Sequence, residues 1–120
     1  ASILRVNTIT DASSNNSVAT SVLFNGSAKA WNNVTQGTSA IQDSYNISSI
    51  SDDGTGEYTQ NYSNNMTNAL YAISGTAQNA GCITTITVSS NLTKLRTILT
   101  SSAGVNDYDD ACNSIHGDLA

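Results

Sequence analysis

Asp43-Ser44-Tyr45-Asn46-Ile47-Ser48-Ser49-Ile50-Ser51-Asp52-Asp53-Gly54-Thr55-Gly56-Glu57-Tyr58-Thr59 sets a β-prone run on each side of a turn. Successive side chains of a strand point to opposite faces, so Tyr45 and Ile47 share one face, as do Tyr58 and, further on, Tyr62. In Asp52-Asp53-Gly54-Thr55-Gly56 the carboxylates can bond nearby backbone and the glycines can take positive φ, which favours a tight turn. The stretch predicts two antiparallel strands joined by that turn.

Outward from it, short β-prone runs alternate with Gly, Asn, Ser and Asp, and no segment sustains an apolar period of 3.6 residues. Strands are predicted over 3–9, 18–24, 28–34, 40–50, 57–63, 70–75, 83–89, 93–100 and 111–117. A spacing of about ten residues predicts an all-β fold, an antiparallel β-sandwich or barrel-like meander. The expected core is Tyr45, Ile47, Tyr58, Tyr62, Tyr71, Ile73, Ile83, Ile86, Val88 and Leu95. The chain divides into an N-terminal arm and linker, 1–22, and a β-sandwich domain, 23–120. Ser2-Ile3-Leu4-Arg5-Val6-Asn7-Thr8-Ile9-Thr10 is one strand-like stretch before a polar run, 11–17. Through Ile3, Leu4, Val6 and Ile9 it is read either as a docking arm, added as a strand to a neighbour, or as an ordinary edge strand.

Composition bounds the function. A chain of 120 residues forms one domain that buries roughly two-thirds of its unfolded surface. Leu, Ile, Val and Phe make up about a fifth of it, and Ser, Thr and Asn about two-fifths, while charge is sparse. That is a folded but core-poor chain, expected to gain burial from identical neighbours. The absence of proline removes one device that protects sheet edges and points the same way. With a net charge of −5 and only Arg5, Lys29, Lys94 and Arg96 as cations, nucleic acid is not an expected partner. No run is long and apolar enough for membrane insertion, and no secretory leader is visible, so synthesis in the cytoplasm is expected.

Catalytic and metal chemistry find little support. There is one histidine, no glycine-rich phosphate loop and no serine in a nucleophile-elbow setting, so no enzyme is expected. Glu57 and Asp43 are the one glycosidase-like carboxylate pair to weigh, and no cleft is evident to bring them together. Cys82 and Cys112 permit a single disulfide, or serve as small apolar side chains in strands, and neither has metal-ligand spacing. Asp107-Tyr108-Asp109-Asp110 lacks the spaced ligands of a calcium loop and reads as a solvated acidic loop. His116 would hold a metal only where three copies converge on an axis. Trp31 is either a sugar-stacking platform or part of a core or subunit interface. No cofactor and no metal are expected.

Ser27-Ala28-Lys29-Ala30-Trp31-Asn32-Asn33, the run 43–59 quoted above, Met66 and Asn68-Ala69-Leu70-Tyr71-Ala72 together resemble a domain of short phage and prophage tail-fibre proteins, common in marine and cyanobacterial phages. The ending His116-Gly117-Asp118 resembles that domain's last strand, and Ile3-Leu4-Arg5-Val6-Asn7-Thr8-Ile9 resembles the segment that opens such proteins. The chain departs from the pattern at Gln60, where an apolar residue is usual, and at Thr67, often proline; Gln60 is expected to face a polar trimer axis or solvent. The resemblance implies a homotrimeric virion protein of the tail-fibre or receptor-binding type. It would recognise a host-surface glycan or protein without catalysis and bind other virion proteins through its arm. The alternative is a capsid-decorating (cement) or head-fibre protein. Alternating strand direction from 28 onward groups turns 34–39, 64–69 and 90–93 at one end and nominates Asn33, Gln36, Asn64, Asn65 and Asn91 for the receptor; the opposite polarity nominates Asn79, Asn106 and Tyr108.

Overall fold

A computed structural model describes residues 2–79 and 81–120. The chain is all-β and antiparallel. Among the described residues ten strands run β1 Thr8–Thr10, β2 Ser17–Ala19, β3 Ala30–Thr35, β4 Ala40–Tyr45, β5 Ile47–Gly54, β6 Glu57–Tyr62, β7 Ala72–Ala77, β8 Gly81–Val88, β9 Leu92–Leu99 and β10 Ala111–His116. One short helix, α1 Thr20–Gly26, and a 3-10 turn, Gln36–Thr38, complete the fold. β1 and β2 form a small hairpin, and the other eight strands form one sheet in the order β4-β3-β10-β7-β8-β9-β6-β5. That sheet curls into a nearly closed barrel.

The predicted strand 40–50 is two strands, and Asn46 is the reason. It sits in the left-handed region at φ +58, which Asn tolerates better than most residues. Its Nδ2 donates to Lys29 O and Asn64 O, each at 3.0 Å, and its Oδ1 accepts from Asn64 N at 2.6 Å. This corner sends β4 and β5 to opposite edges of the sheet, and their continuity in sequence brings the barrel near closure. It also breaks the alternation: Ile47 is buried, whereas Tyr45, expected in the core, is 52% exposed. Ile86, also expected inside, is exposed beside the irregularity between Thr85 and Thr87 in β8. The hairpin 52–56 forms as expected, with Gly54 at φ +126 and Gly56 at φ +68. At Gly56 a Cβ would lie 2.8 Å from Asn106 N, so the loop 100–110 packs against a glycine that no other residue can replace.

The predicted strand 18–24 is mostly helix. Among the described residues β2 pairs with β1 alone, over three residue pairs, and after Thr20 N donates to Asn7 O the chain turns into a helix that satisfies its backbone within itself, closing with Ser27 N donating to Leu23 O. Of the predicted strand 3–9, only Thr8 and Ile9 join a ladder.

Alternating positions of β3, β6, β9 and β10 face inward. Ala30, Ile47, Tyr62, Met66 and Ile115 form one apolar cluster, and Val34, Tyr58, Leu95 and Ala111 another. Gln60, Asn32 and Asn113 are buried with them. The expectation that Gln60 faces solvent or a trimer axis is therefore corrected: it occupies the barrel interior. A carboxamide both donates and accepts, so three of them can close a ring. Asn32 Nδ2 donates to Gln60 Oε1 (2.8 Å), Gln60 Nε2 to Asn113 Oδ1 (3.2 Å) and Asn113 Nδ2 to Asn32 Oδ1 (2.8 Å). Asn113 Nδ2 also reaches Tyr58 OH at 3.2 Å. The edges β4 and β5 carry Asp43, Asp52 and Asp53 and register shifts, two devices that discourage edge-to-edge pairing.

Candidate functional site

The outer face of β4, β3, β10 and β7 presents two rows of side chains. Direct cross-strand pairing aligns Tyr45, Trp31, Ser114 and Ser74 in one row. The next row aligns Asp43, Asn33, Cys112, Thr76 and, across β7, Cys82. Inward Ala30, Asn32 and Val34 force their neighbours Trp31 and Asn33 outward, because the alternation allows nothing else. Trp31, 37% exposed, and Tyr45 stand opposite each other on neighbouring strands, where side chains lie about 5 Å apart at Cβ. Beside them a shallow depression of about 500 Å³ is lined by Trp31, Asn33, Ser74, Thr76, Cys112 and Ser114, with Gly75 in its floor. Ser74 Oγ and Ser114 Oγ lie 3.2 Å apart, and Thr76 Oγ1 lies 3.3 Å from Cys112 Sγ. Asn33 Nδ2 donates to Asp110 Oδ1 at 3.4 Å, and Asn33 Oδ1 has no partner among the described residues.

This arrangement offers aromatic faces with a ledge of short hydroxyl and amide groups. Its charge is acidic: Asp43 lies in the second row, and Asp110 is bonded to Asn33 and to Gln42, the extra residue of the β4 bulge. The cations are engaged elsewhere. Lys94 pairs with Asp53 and Glu57, Arg96 with Glu57, and these cations hold the Glu57 carboxyl below its ordinary range. Lys29 bonds Phe24 O and Ser27 Oγ.

The nominated receptor residues do not form one surface. The Asn46 corner reverses the chain once more than the sequence reading assumed, which moves the 36–39 turn to the end that holds 54–56, 78–81 and 100–110. Gln36 is buried there; its backbone N–H donates to Tyr108 O, and its Oε1 accepts from Thr97 Oγ1 and Tyr108 N, so it is not available to a receptor. Asn64, Asn65 and Asn91 gather at the opposite end, which the arm enters, and are exposed. Asn33 lies on the lateral face between these ends. In the alternative set, Asn79 and Asn106 are exposed and Tyr108 is buried, all at the Gln36 end.

Other candidates resolve locally. Cys82 and Cys112 are both free, half-buried on the outer face, and separated by the strand that carries Thr76. Two strand spacings put their Cα atoms roughly 10 Å apart, beyond the ~7 Å that a disulfide spans. Asp107 Oδ1 accepts from Gly56 N at 2.6 Å, which makes the acidic loop a brace for the hairpin 52–56. Among the described residues no three His, Cys, Asp or Glu side chains come together as a metal site, and no helix is long and apolar enough to cross a membrane. His116 closes β10, paired with Ala72. In the arm, Ile3, Leu4, Val6 and Ile9 are all exposed, together with Val22, Leu23 and Phe24 of α1. Leu4, Val6, Ile9, Leu23 and Phe24 line one cleft of about 530 Å³.

Sequence reasoning weighed Trp31 but missed its neighbours Tyr45, Ser74, Thr76 and Ser114. The signal was partly present, since inward Ala30 and Val34 dictate an outward Trp31; Tyr45 needed the corner at Asn46. No protein-family model, curated protein or solved structure matches the chain.

Proposed function

We propose that this chain is a bacteriophage virion protein of the tail-fibre or receptor-binding type, working as a homotrimer that recognises a host-surface glycan without catalysing a reaction. The sequence resemblance supports the virion assignment. The observation that carries recognition is the outward pair Trp31 and Tyr45, directly opposed on a sheet face whose remaining positions are hydroxyls, an amide, a carboxylate and the two thiols. Aromatic rings offer an apolar surface for the C–H face of a sugar ring, and Ser, Thr and Asn supply both donors and acceptors for its hydroxyls. In this reading the arm fixes the protein to the particle. Seven large apolar side chains over residues 3–24, all substantially exposed, form a surface that a partner would cover.

The test is adhesion of the purified protein to susceptible cells, with Tyr45→Ala and Trp31→Ala compared against wild type. The proposal expects adhesion by wild type and a loss of at least tenfold in either variant at unchanged circular dichroism. Failure of correctly folded wild type to adhere to any susceptible host refutes it. The same exposed arm favours a second reading, a capsid-decorating or head-fibre protein clamped to the shell through Ile3, Leu4, Val6 and Ile9. Copy number separates the two, because a lattice decoration occurs in hundreds of copies.

A further inference from the structure

We infer that the face built around Trp31 and Tyr45 takes an uncharged saccharide and rejects acidic ones; this rests on the glycan reading and names its ligand class. A shallow depression of about 500 Å³ falls within the roughly 300–1,000 Å³ of small-molecule sites and has room for a short stretch of a glycan. Trp31 in the depression and Tyr45, opposite it on β4 and lining the adjacent cleft, supply apolar contact, and Ser74, Ser114 and Thr76 supply hydroxyls that serve as donor or acceptor, matching sugar hydroxyls, which are both.

Charge then selects among saccharides. Asp43 stands in the row beside Asn33, and the Asp110 carboxylate bonds Asn33 from the rim. Among the described residues no cation lines the depression. Lys94 and Arg96 are committed to acids on β5 and β6, Lys29 in the adjacent cleft to Phe24 O and Ser27 Oγ, and Arg5 belongs to the arm. A uronate, sialate, sulfate or phosphate held in the depression would lie near the Asp43 and Asp110 carboxylates that border it through Asn33, while Lys29, bonded to neutral oxygens, lies in the adjacent cleft. A carboxylate about 6 Å from a bound anion in water weakens its binding about threefold, or about tenfold for two such carboxylates, and less as salt rises.

Trp31 is the only tryptophan, so its fluorescence reports on this face directly. The experiment titrates the full chain at low ionic strength with neutral gluco-, galacto-, manno- and N-acetylated oligosaccharides, and with uronate, sialylated and sulfated counterparts. The expected result is a saturable fluorescence change with at least one neutral sugar and about tenfold weaker binding of its acidic counterpart. Asp43→Asn should narrow that gap about threefold. Tyr45→Ala should weaken the neutral sugar at least tenfold while circular dichroism and oligomeric state stay unchanged. Equal or tighter binding of acidic sugars overturns the charge selection and leaves the glycan reading standing. Saccharide binding that ignores Tyr45→Ala places the glycan elsewhere and overturns the inference. Loss of the oligomer in Tyr45→Ala makes the face a subunit interface and also overturns it. Adhesion to cells with no saccharide bound overturns the glycan reading itself.

Discussion

Replacing Gln60 with leucine tests the interior of the barrel. In the sequence an apolar residue between Tyr58 and Tyr62 looks like an improvement, and the buried carboxamide ring says otherwise. Gln60→Leu strips Asn32 Nδ2 of its acceptor at 2.8 Å and Asn113 Oδ1 of its donor at 3.2 Å. Each buried group left unpaired costs about 1–3 kcal/mol, and burying leucine at a fully enclosed site returns about 1.5–3 kcal/mol. The net is a destabilisation of about 2 kcal/mol, which for a chain of this size lowers Tm by roughly 8 °C. Urea and thermal unfolding at one fixed protein concentration read it, since an oligomer's stability depends on concentration. Asn32→Leu combined with Gln60→Leu should cost less than the sum of the two, by about 1 kcal/mol or more, because the second change removes a group the first had already orphaned. An unchanged or raised Tm in Gln60→Leu, or strict additivity in the pair, refutes the reasoning.

Asn46→Ala should cost about 2–3 kcal/mol in urea unfolding, from the left-handed φ and four lost bonds to Lys29 and Asn64, and Asn46→Gly should recover the backbone part only. Both thiols should titrate with a thiol reagent in the folded protein, and mass spectrometry of air-oxidised monomer should show no internal disulfide, because Cys82 and Cys112 stand two strands apart. Burial raises the Tyr58 and Tyr62 hydroxyls above their ordinary 10.0, so the folded state holds these protons more tightly than the unfolded chain. Their contribution is fully present below pH 10 and declines as pH rises beyond it, and alkaline unfolding curves of Tyr58→Phe should show a weaker decline.

The period-2 pattern and the Asp-Gly turn were enough for the all-β class, because Tyr58, Tyr62 and Leu95 do face inward and the hairpin 52–56 forms where its glycines demand it. What escaped was non-local. A corner residue such as Asn46 is one Asn among many in an Asn-rich chain, and only its bonds to Lys29 and Asn64 mark it as the point where a strand ends. Missing it inverted Tyr45 and moved the Gln36 turn to the wrong end. Gln60 read as a misfit because its partners, Asn32 and Asn113, are 28 and 53 residues away. The helix α1 was hidden because Val22, Leu23 and Phe24 suit a strand, yet among the described residues β2 has β1 as its one partner and the chain closes its bonds within the helix instead. The candidate site was half legible: the alternation in β3 places Trp31 outside, whereas its companions come from β4, β7 and β10 and depend on pairing order.

Cryo-electron microscopy of the intact virion tests the central claim most directly. The account predicts this chain as a trimer on tail appendages, its residues 3–9 seated on another virion protein and the Trp31 and Tyr45 face open to solvent. Density across the capsid lattice, or that face buried between subunits, would contradict it.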